Sequence, residues 1–306
     1  MKSGVCILGI YVSDMAFTAH RQPIMGETII GSRFALGPGG KGSNQTIAAA
    51  RAGADVTFIT NLGTDLFGDN AMAMYDKDGV TPRVRRVADV ATGAAYIFLE
   101  QGTGSNAIIV VPGAADTITA ADVEANADAI TGSAVFMTQL EAPLAQCTQA
   151  LAIAKASGTI TILNPAPAAE IDHSIYKHCD YVTPNESEAT MLTGVAVKDI
   201  ESARKAADIF LQRGVGTALI TLGGQGSLLH TAQTSIHIPI FNAGKVVDTT
   251  GAGDAFNGGF AAALAAGAKP EDAARFGSAT AGISVTRMGT APSMPQRAEI
   301  EALLRG

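Results

Sequence analysis

The 306-residue sequence predicts an α/β protein, a doubly wound and mainly parallel sheet with helices on both faces and a small β-sheet lid. Three observations predict it. Apolar runs of strand length alternate with Ala-rich helical stretches, the pattern of a parallel sheet covered on both sides. Several helical stretches stop at Gly, as at Gly53, Gly79, Gly158 and Gly214, where a left-handed cap is easiest. Two stretches, Thr28–Leu36 and Thr92–Val111, are strand-like with no helix between their halves.

Taken in order, Val5–Ile10, Val56–Thr60, Ala134–Thr138, Thr159–Leu163, Tyr181–Thr183 and Ala218–Thr221 read as the parallel strands. The helices are expected over Ser43–Ala52, Asp65–Asp78, Ala120–Ile130, Leu144–Ala156, Glu186–Leu192, Ile200–Arg213 and Ala255–Ala266. The two helix-free stretches, the second turning at Gly102-Thr103-Gly104, predict an antiparallel projection that either covers a cleft or meets a second copy of itself. No repeat, low-complexity tract or long linker interrupts the chain. Residues 1–306 therefore read as one folding unit, with lid strands inserted at about 11–37 and 92–112.

Composition removes several function classes. A net charge of −7 and a pI near 5.2 repel polyphosphate backbones, so no nucleic-acid partner is expected. The basic cluster Arg83, Arg85, Arg86 reads as a solvated strand or loop face. Cys6, Cys147 and Cys179 have neither disulfide nor zinc spacing and fit a reducing cytoplasm, and the His173, His178, Cys179 neighbourhood reads as surface packing. The apolar run Val5–Val12 is interrupted by Asp14 and reads as a buried first strand, not a signal peptide. The uncharged run Ala255–Ala268 falls short of the roughly 20 residues a membrane span needs, so no membrane role is expected.

The strongest chemical signal is Asp248-Thr249-Thr250-Gly251-Ala252-Gly253-Asp254, expected after a strand at Lys245–Val247 and running into the helix Ala255–Ala266. Small residues there let consecutive N–H groups point into one concavity at a helix N-terminus, an anion hole. Asp254 at its lip can take the proton of an alcohol as that alcohol attacks a phosphorus held by the amides. A tight turn capped by an Asp explains the same residues, and context has to decide.

A second signal is the loop Gly37-Pro38-Gly39-Gly40-Lys41-Gly42-Ser43-Asn44-Gln45. Its glycines satisfy G-x-G-x-x-G, but a dinucleotide fingerprint belongs after the first strand, and a Walker A loop needs Lys-Ser or Lys-Thr after its last Gly. A flexible loop offering Lys41 and Asn44 to a polyol remains. In Thr183-Pro184-Asn185-Glu186-Ser187-Glu188, Asn185 and Glu188 share a helical face suited either to a phosphate-bound Mg²⁺ and its water or to an ordinary N-cap. Thr221-Leu222-Gly223-Gly224-Gln225-Gly226 is a turn against which a nucleotide could lie, and Asn164-Pro165-Ala166-Pro167-Ala168 a stiff cleft floor. Asp14 and Glu141 are expected just past strand ends, as ligand groups or as satisfied loop acids.

Together and in this order, the Gly39–Gln45, Asn164–Ala168, Thr183–Glu188, Thr221–Gly223 and Asp248–Asp254 segments resemble the ribokinase branch of the PfkB carbohydrate kinases. The resemblance implies an ATP-dependent kinase acting on a hydroxymethyl group of a small sugar, ribose at O5 or 2-deoxyribose, with another polyol, a nucleoside or a non-catalytic relative as the remaining readings. It implies that Asp254 is the base, that the amides of Gly251, Ala252 and Gly253 form the anion hole, and that Asp14, Gly40, Lys41, Asn44 and Glu141 hold the sugar. Asn185, Thr221, Gly223, Gly226 and Ser278 would serve ATP, and Glu188 its Mg²⁺ through water. Asp248, Thr250, Ser284, Arg287, Gly289 and Ser293 match the surroundings of an activating K⁺ site, and the lid implies a homodimer. One position departs from the pattern: Val12 stands where ribokinases carry an Asn two residues before the sugar-binding Asp, which keeps 2-deoxyribose beside ribose.

Overall fold

The computed structural model describes residues 2–103 and 105–306; Gly104 of the expected lid turn lies outside the described residues. The chain opens with β1 (Ser3–Leu8), passes through β2 (Val12–Ala19) and β3 (Arg33–Gly39) into α1 (Lys41–Arg51), and returns as β4 (Val56–Gly63). Helix α2 (Leu66–Lys77), strands β5 (Thr81–Val87), β6 (Thr92–Glu100) and β7 (Asn106–Gly113), and helices α3 (Ala120–Ala125) and α4 (Ala127–Gly132) follow. Next come β8 (Ser133–Thr138), α5 (Leu144–Ala156), β9 (Ile160–Leu163), β10 (Tyr181–Val182), α6 (Glu186–Thr193), α7 (Ile200–Gln212) and β11 (Thr217–Thr221). A hairpin of β12 (Ser227–His230) and β13 (Ser235–Ile238) leads to α8 (Ala252–Ala265), α9 (Pro270–Ser284) and α10 (Arg297–Arg305).

The main sheet has the order β13-β12-β11-β10-β9-β8-β1-β4-β5, parallel from β11 to β5 and antiparallel in the last two pairings. Its strands read as continuous apolar runs because both faces are covered. Val5 and Ile7 pack toward α1, α2, α8, α9 and α10, whereas Cys6 and Leu8 pack toward α3 to α7. Fully buried Phe58 serves the first layer and Phe136 the second, each contributing about 1.5–3 kcal/mol by its burial. Side chains fix where helices begin: Asp65 caps α2 by accepting from Gly68 N, and Thr119 and Asp199 form capping boxes on α3 and α7.

Several expectations shift. The helix expected over Ala120–Ile130 breaks at Asn126, which leaves the helical region and folds its amide onto the Asp122 carbonyl at 2.8 Å. Lys245–Val247 is not a strand: Val247 N–H donates to the Val285 carbonyl at the end of α9, 2.8 Å away, and the segment lies outside the sheet. Strands β5, β12 and β13 and helix α9 were not anticipated. β5 carries Arg83, Arg85 and Arg86, each answered by an acid, Asp128, Asp122 and Asp69 respectively.

The second sheet has the order β3-β2-β6-β7, with β2 and β6 parallel and the other pairs antiparallel. Its first half differs from expectation, since β2 is an unforeseen strand and Thr28–Leu36 contributes β3 only from Arg33. Asp14 therefore sits on a lid strand and not in a loop after β1. Phe34, Ile109 and Val111 leave an apolar surface on this sheet open to solvent. No helix among the described residues is long and apolar enough to cross a membrane.

Candidate active site

Open α/β sheets gather ligands at the carboxyl ends of their strands, and here two helices begin over that edge. Helix α1 starts at Lys41, one residue after Gly40, whose φ of 86° is a turn that side-chain-bearing residues rarely adopt. Lys41 and Asn44 are thus on the first turn of a helix, not in a flexible loop. Helix α8 starts after Gly251 at φ 78°, so it begins at Ala252 and Asp254 lies inside its first turn. The two helices touch: a Cβ on Gly258 would fall 2.4 Å from that of Ala48. That approach lets α1 side chains reach Asp254.

Asp254 is 7% exposed. Its Oδ2 accepts from Asn44 Nδ2 and its Oδ1 from Gln45 Nε2, both at 3.0 Å. Burial raises its pKa, while the Lys41 ammonium and the two amides oppose that rise. The N–H groups of Gly251 and Gly253 donate to no acceptor among the described residues; that of Ala252 is turned to the Thr249 carbonyl at 3.2 Å. A carboxylate beside free amides at a helix N-terminus can accept a proton next to a bound anion.

Further acids surround this point. A Cβ on Gly39 would fall 2.2 Å from Asp14 Oδ1, so the glycine loop lies directly against Asp14. Burial, then the Asp254 charge, pushes Asp14 up to about 6. Glu141 Oε2 accepts the Lys41 backbone N–H at 2.7 Å, and burial pushes its carboxyl up to about 7 even with Lys41 alongside. Burial draws the Lys41 ammonium down, but Asp254, Glu141 and Glu188 outweigh it and hold the lysine protonated. Asn44 Oδ1 is buried without a partner, an acceptor suited to a ligand hydroxyl.

Across α8 lies a cavity of about 400 Å³ whose lining includes Asn185, Thr221, Gly223, Gly226 and Ser278 together with Gly253. The sequence missed its opposite wall, where Phe241 and Val246 of the segment between β13 and α8 face Ala281 of α9 and Val285 just past its end. Apolar walls with a few backbone polar groups suit an aromatic base and its sugar.

The model of the pfkB family carbohydrate kinases matches residues 2–297. The chain belongs to the PfkB carbohydrate kinase family. It is 38% identical over 300 residues to a ribokinase of Haemophilus influenzae, covering 98% of this chain and 97% of that one. To a deoxyribokinase of Salmonella typhi it is 34% identical over 293 residues, 95% of each chain. The solved structure of Arabidopsis thaliana ribokinase complexed with ribose and ATP superposes with a TM-score of 0.92 at 32% identity, covering all of both chains. The protein is therefore a phosphotransferase with the ribokinase-type fold.

Two further groups named for this PfkB protein from its sequence sit at the rim of the cleft. Asn185 and Glu188 form a reciprocal capping box, with Asn185 Oδ1 accepting from Glu188 N and Glu188 Oε2 accepting from Asn185 N, both at 2.8 Å. Asn185 Oδ1 is thereby spent on the helix, whereas Glu188 Oε1 accepts no hydrogen bond among the described residues. Asp248 accepts the N–H groups of Thr250 and Gly289, each at 2.9 Å. Burial raises its carboxyl, but those amides and the Thr250 side chain outweigh burial and hold it below its ordinary value. The carbonyls of Thr250 and Gly289 accept nothing among the described residues, while that of Ser284 takes the Arg287 N–H, and Ser293 bonds the Thr290 carbonyl. Arg287's guanidinium turns away to Glu299.

Val12 shares a side of β2 with Asp14 but is 3% exposed and packs with Ile10 and Ala95. Tyr11 and Ser13 point to the other side, their hydroxyls 3.2 Å apart. Sequence reading placed Gln45 within the glycine-loop motif but assigned it no role, and passed over Gln139; both are buried amides.

Proposed function

We propose that this PfkB-family kinase transfers the γ-phosphoryl group of ATP to O5 of ribose, with Asp254 as the general base. The observation that carries this reading is the Asp254 carboxylate, buried and held by two amide donors beside the free N–H groups of Gly251 and Gly253. The sugar lies among Asp14, Gly40, Lys41, Asn44 and Glu141, with Val12 behind it. Asp254 takes the O5 proton as the O5–phosphorus bond forms and the bond to the ADP oxygen breaks. The amides of Gly251 and Gly253 hold the charge on the phosphoryl oxygens, and Ala252 joins them if its N–H turns from Thr249. Lys41, protonated among its carboxylates, faces the same oxygens. The nucleotide occupies the cavity of Asn185, Thr221, Gly223, Gly226 and Ser278.

Glu188, with one carboxylate oxygen uncommitted, fits a water on Mg²⁺, which when bound neutralises phosphate charge. The carbonyls of Thr250 and Gly289, with Asp248 bracing both strands of the loop, fit a K⁺ near Ser284, Arg287 and Ser293, and such an ion steadies the start of α8. The apolar lid surface at Phe34, Ile109 and Val111 fits a second copy of the chain, and the buried free thiols fit the cytoplasm. A second reading, 2-deoxyribose as substrate, is favoured by Val12 and by the likeness to the Salmonella typhi deoxyribokinase.

The test is ADP release with ATP, Mg²⁺ and a panel of ribose, 2-deoxyribose, other pentoses, hexoses and nucleosides, in K⁺ and in Na⁺. Ribose is expected to give the highest kcat/KM, and K⁺ the higher rate. A nucleoside or hexose outrunning both pentoses overturns the substrate.

A further inference from the structure

Gln45, fully buried on α1, bonds Asp254 and nothing that could be substrate. Its orientation is dictated from a distance. The Thr183 carbonyl can only accept, so Asn164 must present Nδ2 to it, 2.8 Å away. Asn164 Oδ1 then faces Gln45, which must answer with Nε2 at 2.9 Å. Gln139 Nε2 donates to Gln45 Oε1 at 2.6 Å and fixes the amide from its other end. Both hydrogens of Gln45 Nε2 are thereby assigned, one to Asn164 and one to Asp254 Oδ1. Asn44 differs: its Nδ2 bonds Asp254 Oδ2, yet its Oδ1 is unpartnered, so it is free to serve a ligand.

We propose that Gln45, locked by Asn164 and Gln139, is a positioning residue that pins Oδ1 of Asp254 and so aims Oδ2, which also accepts from Asn44, at the reacting hydroxyl through its remaining lone pair. The inference rests on Asp254 being the base. It divides the first turn of α1 into Gln45, whose amide is fixed at both ends and sets the base, and Asn44, whose Oδ1 is left for the sugar. A second member of this floor steadies the phosphate side: Thr183 Oγ1 donates to Asn257 Oδ1 at 2.6 Å, and Asn257 Nδ2 donates to the Gly253 carbonyl at 2.9 Å. The charged groups facing Asp254 are Lys41 of α1, Asp14 of β2, Glu141 after β8 and Glu188 of α6, and Gln45 touches none of them.

The test is Gln45→Met, which keeps length and removes both donors, measured in the wild type and in Asp254→Asn. In the wild type, kcat is expected to fall about 10- to 100-fold, the value of one hydrogen bond to a charged group, with KM for ribose and ATP within about twofold. In Asp254→Asn the same change is expected to cost less than about twofold, because Gln45 then has no base to orient. An equal loss in both backgrounds, or a rise in ribose KM at constant kcat, overturns the proposal. Should Gln45→Met not fold, Gln139→Met removes the outer anchor without touching Asp254. It is expected to lower kcat alone by about 3- to 10-fold, and an unchanged kcat overturns the proposal equally. A failure of the base assignment is separable, since Asp254→Asn by itself would then keep most of the rate.

Discussion

The two halves of the cleft are built on opposite principles. On the side of the proposed sugar site, Asp14, Glu141, Asp254 and Lys41 are crowded and largely desolvated, and their partners are side chains or single amides at fixed distances. On the side of the proposed nucleotide cavity, Ile240 and Val246 are more than half exposed, and the wall is backbone and apolar surface. Charge in a low dielectric makes the first half intolerant of any change; shape alone makes the second half adaptable. Substitutions on the two sides should therefore separate in kind as well as in size.

The largest effect tests the charged half at its centre. Asp254→Asn should fold and bind ATP with unchanged KM while kcat falls about 10²–10⁴-fold, the usual cost of losing a general base. Steady-state kinetics at saturating sugar reads it. A variant retaining half the rate would remove Asp254 from the chemistry and erase the contrast between the halves.

A smaller effect tests the adaptable half. A Cβ at Gly282 of α9 would fall 2.2 Å from the Phe241 carbonyl, so Gly282→Ala must displace the segment forming the nucleotide wall. KM for ATP should rise about tenfold with KM for ribose unchanged. Equal changes in both would show that the two halves move as one.

Legibility in the sequence followed the same division. Motifs such as Gly251-Ala252-Gly253-Asp254 are local, because a positive-φ glycine, a helix start and an acid lie within four consecutive residues. The short turn from Thr221 to Gly226, which lines the cavity beside α8, was legible for that reason, and so was the doubly wound sheet, whose apolar runs repeat. The segment 239–247 was not, since Val246 and Val247 look like a strand and only the pairing with Val285 across the chain shows otherwise. Asp14 was misplaced because the chain passes from β1 of one sheet to β2 of the other between Leu8 and Val12, and so short a crossing has no sequence signature. Gln45 and Gln139 matter through each other, 94 positions apart, and no local pattern marks such a pair.

The pH dependence of sugar binding should sharpen the comparison at the next size down. Asp14 at about 6 and Glu141 at about 7 are raised above their ordinary values, so both lose their charge as pH falls from 7.5 to 5.5. A neutral carboxyl is a weaker acceptor for a hydroxyl, and KM for ribose should rise about three- to tenfold over that interval. The nucleotide half has no such pair, and KM for ATP should change less. For stability the sign is opposite: without sugar, burying these groups is easiest when they are protonated, so each contributes stability at low pH that is lost as pH rises through its folded pKa. Thermal melts of the free enzyme should show Asp14→Asn flattening the fall between about pH 4 and 6. A KM for ribose independent of pH would take both acids out of the sugar site.

The smallest effect concerns which pentose is preferred. Val12 lies on the Asp14 side of β2, while Tyr11 and Ser13 face away with their hydroxyls bonded to each other, so neither neighbour replaces an amide at position 12. Val12 is nonetheless packed against Ile10 and Ala95, and an Asn there must exchange apolar contacts for a hydrogen bond to the sugar. One such bond is worth about 1 kcal/mol net, which is roughly fivefold in a rate ratio. Val12→Asn should therefore raise kcat/KM for ribose relative to 2-deoxyribose by about fivefold, with some loss of thermal stability from the exchanged packing. Val12→Ala, which opens the same space without a donor, should leave the ratio where it stands. Measuring both sugars with the three proteins decides it: if Val12→Asn moves neither ratio nor ribose KM, the side chain belongs to the core alone, and the discrimination between pentoses lies with Asp14, Lys41 and Asn44.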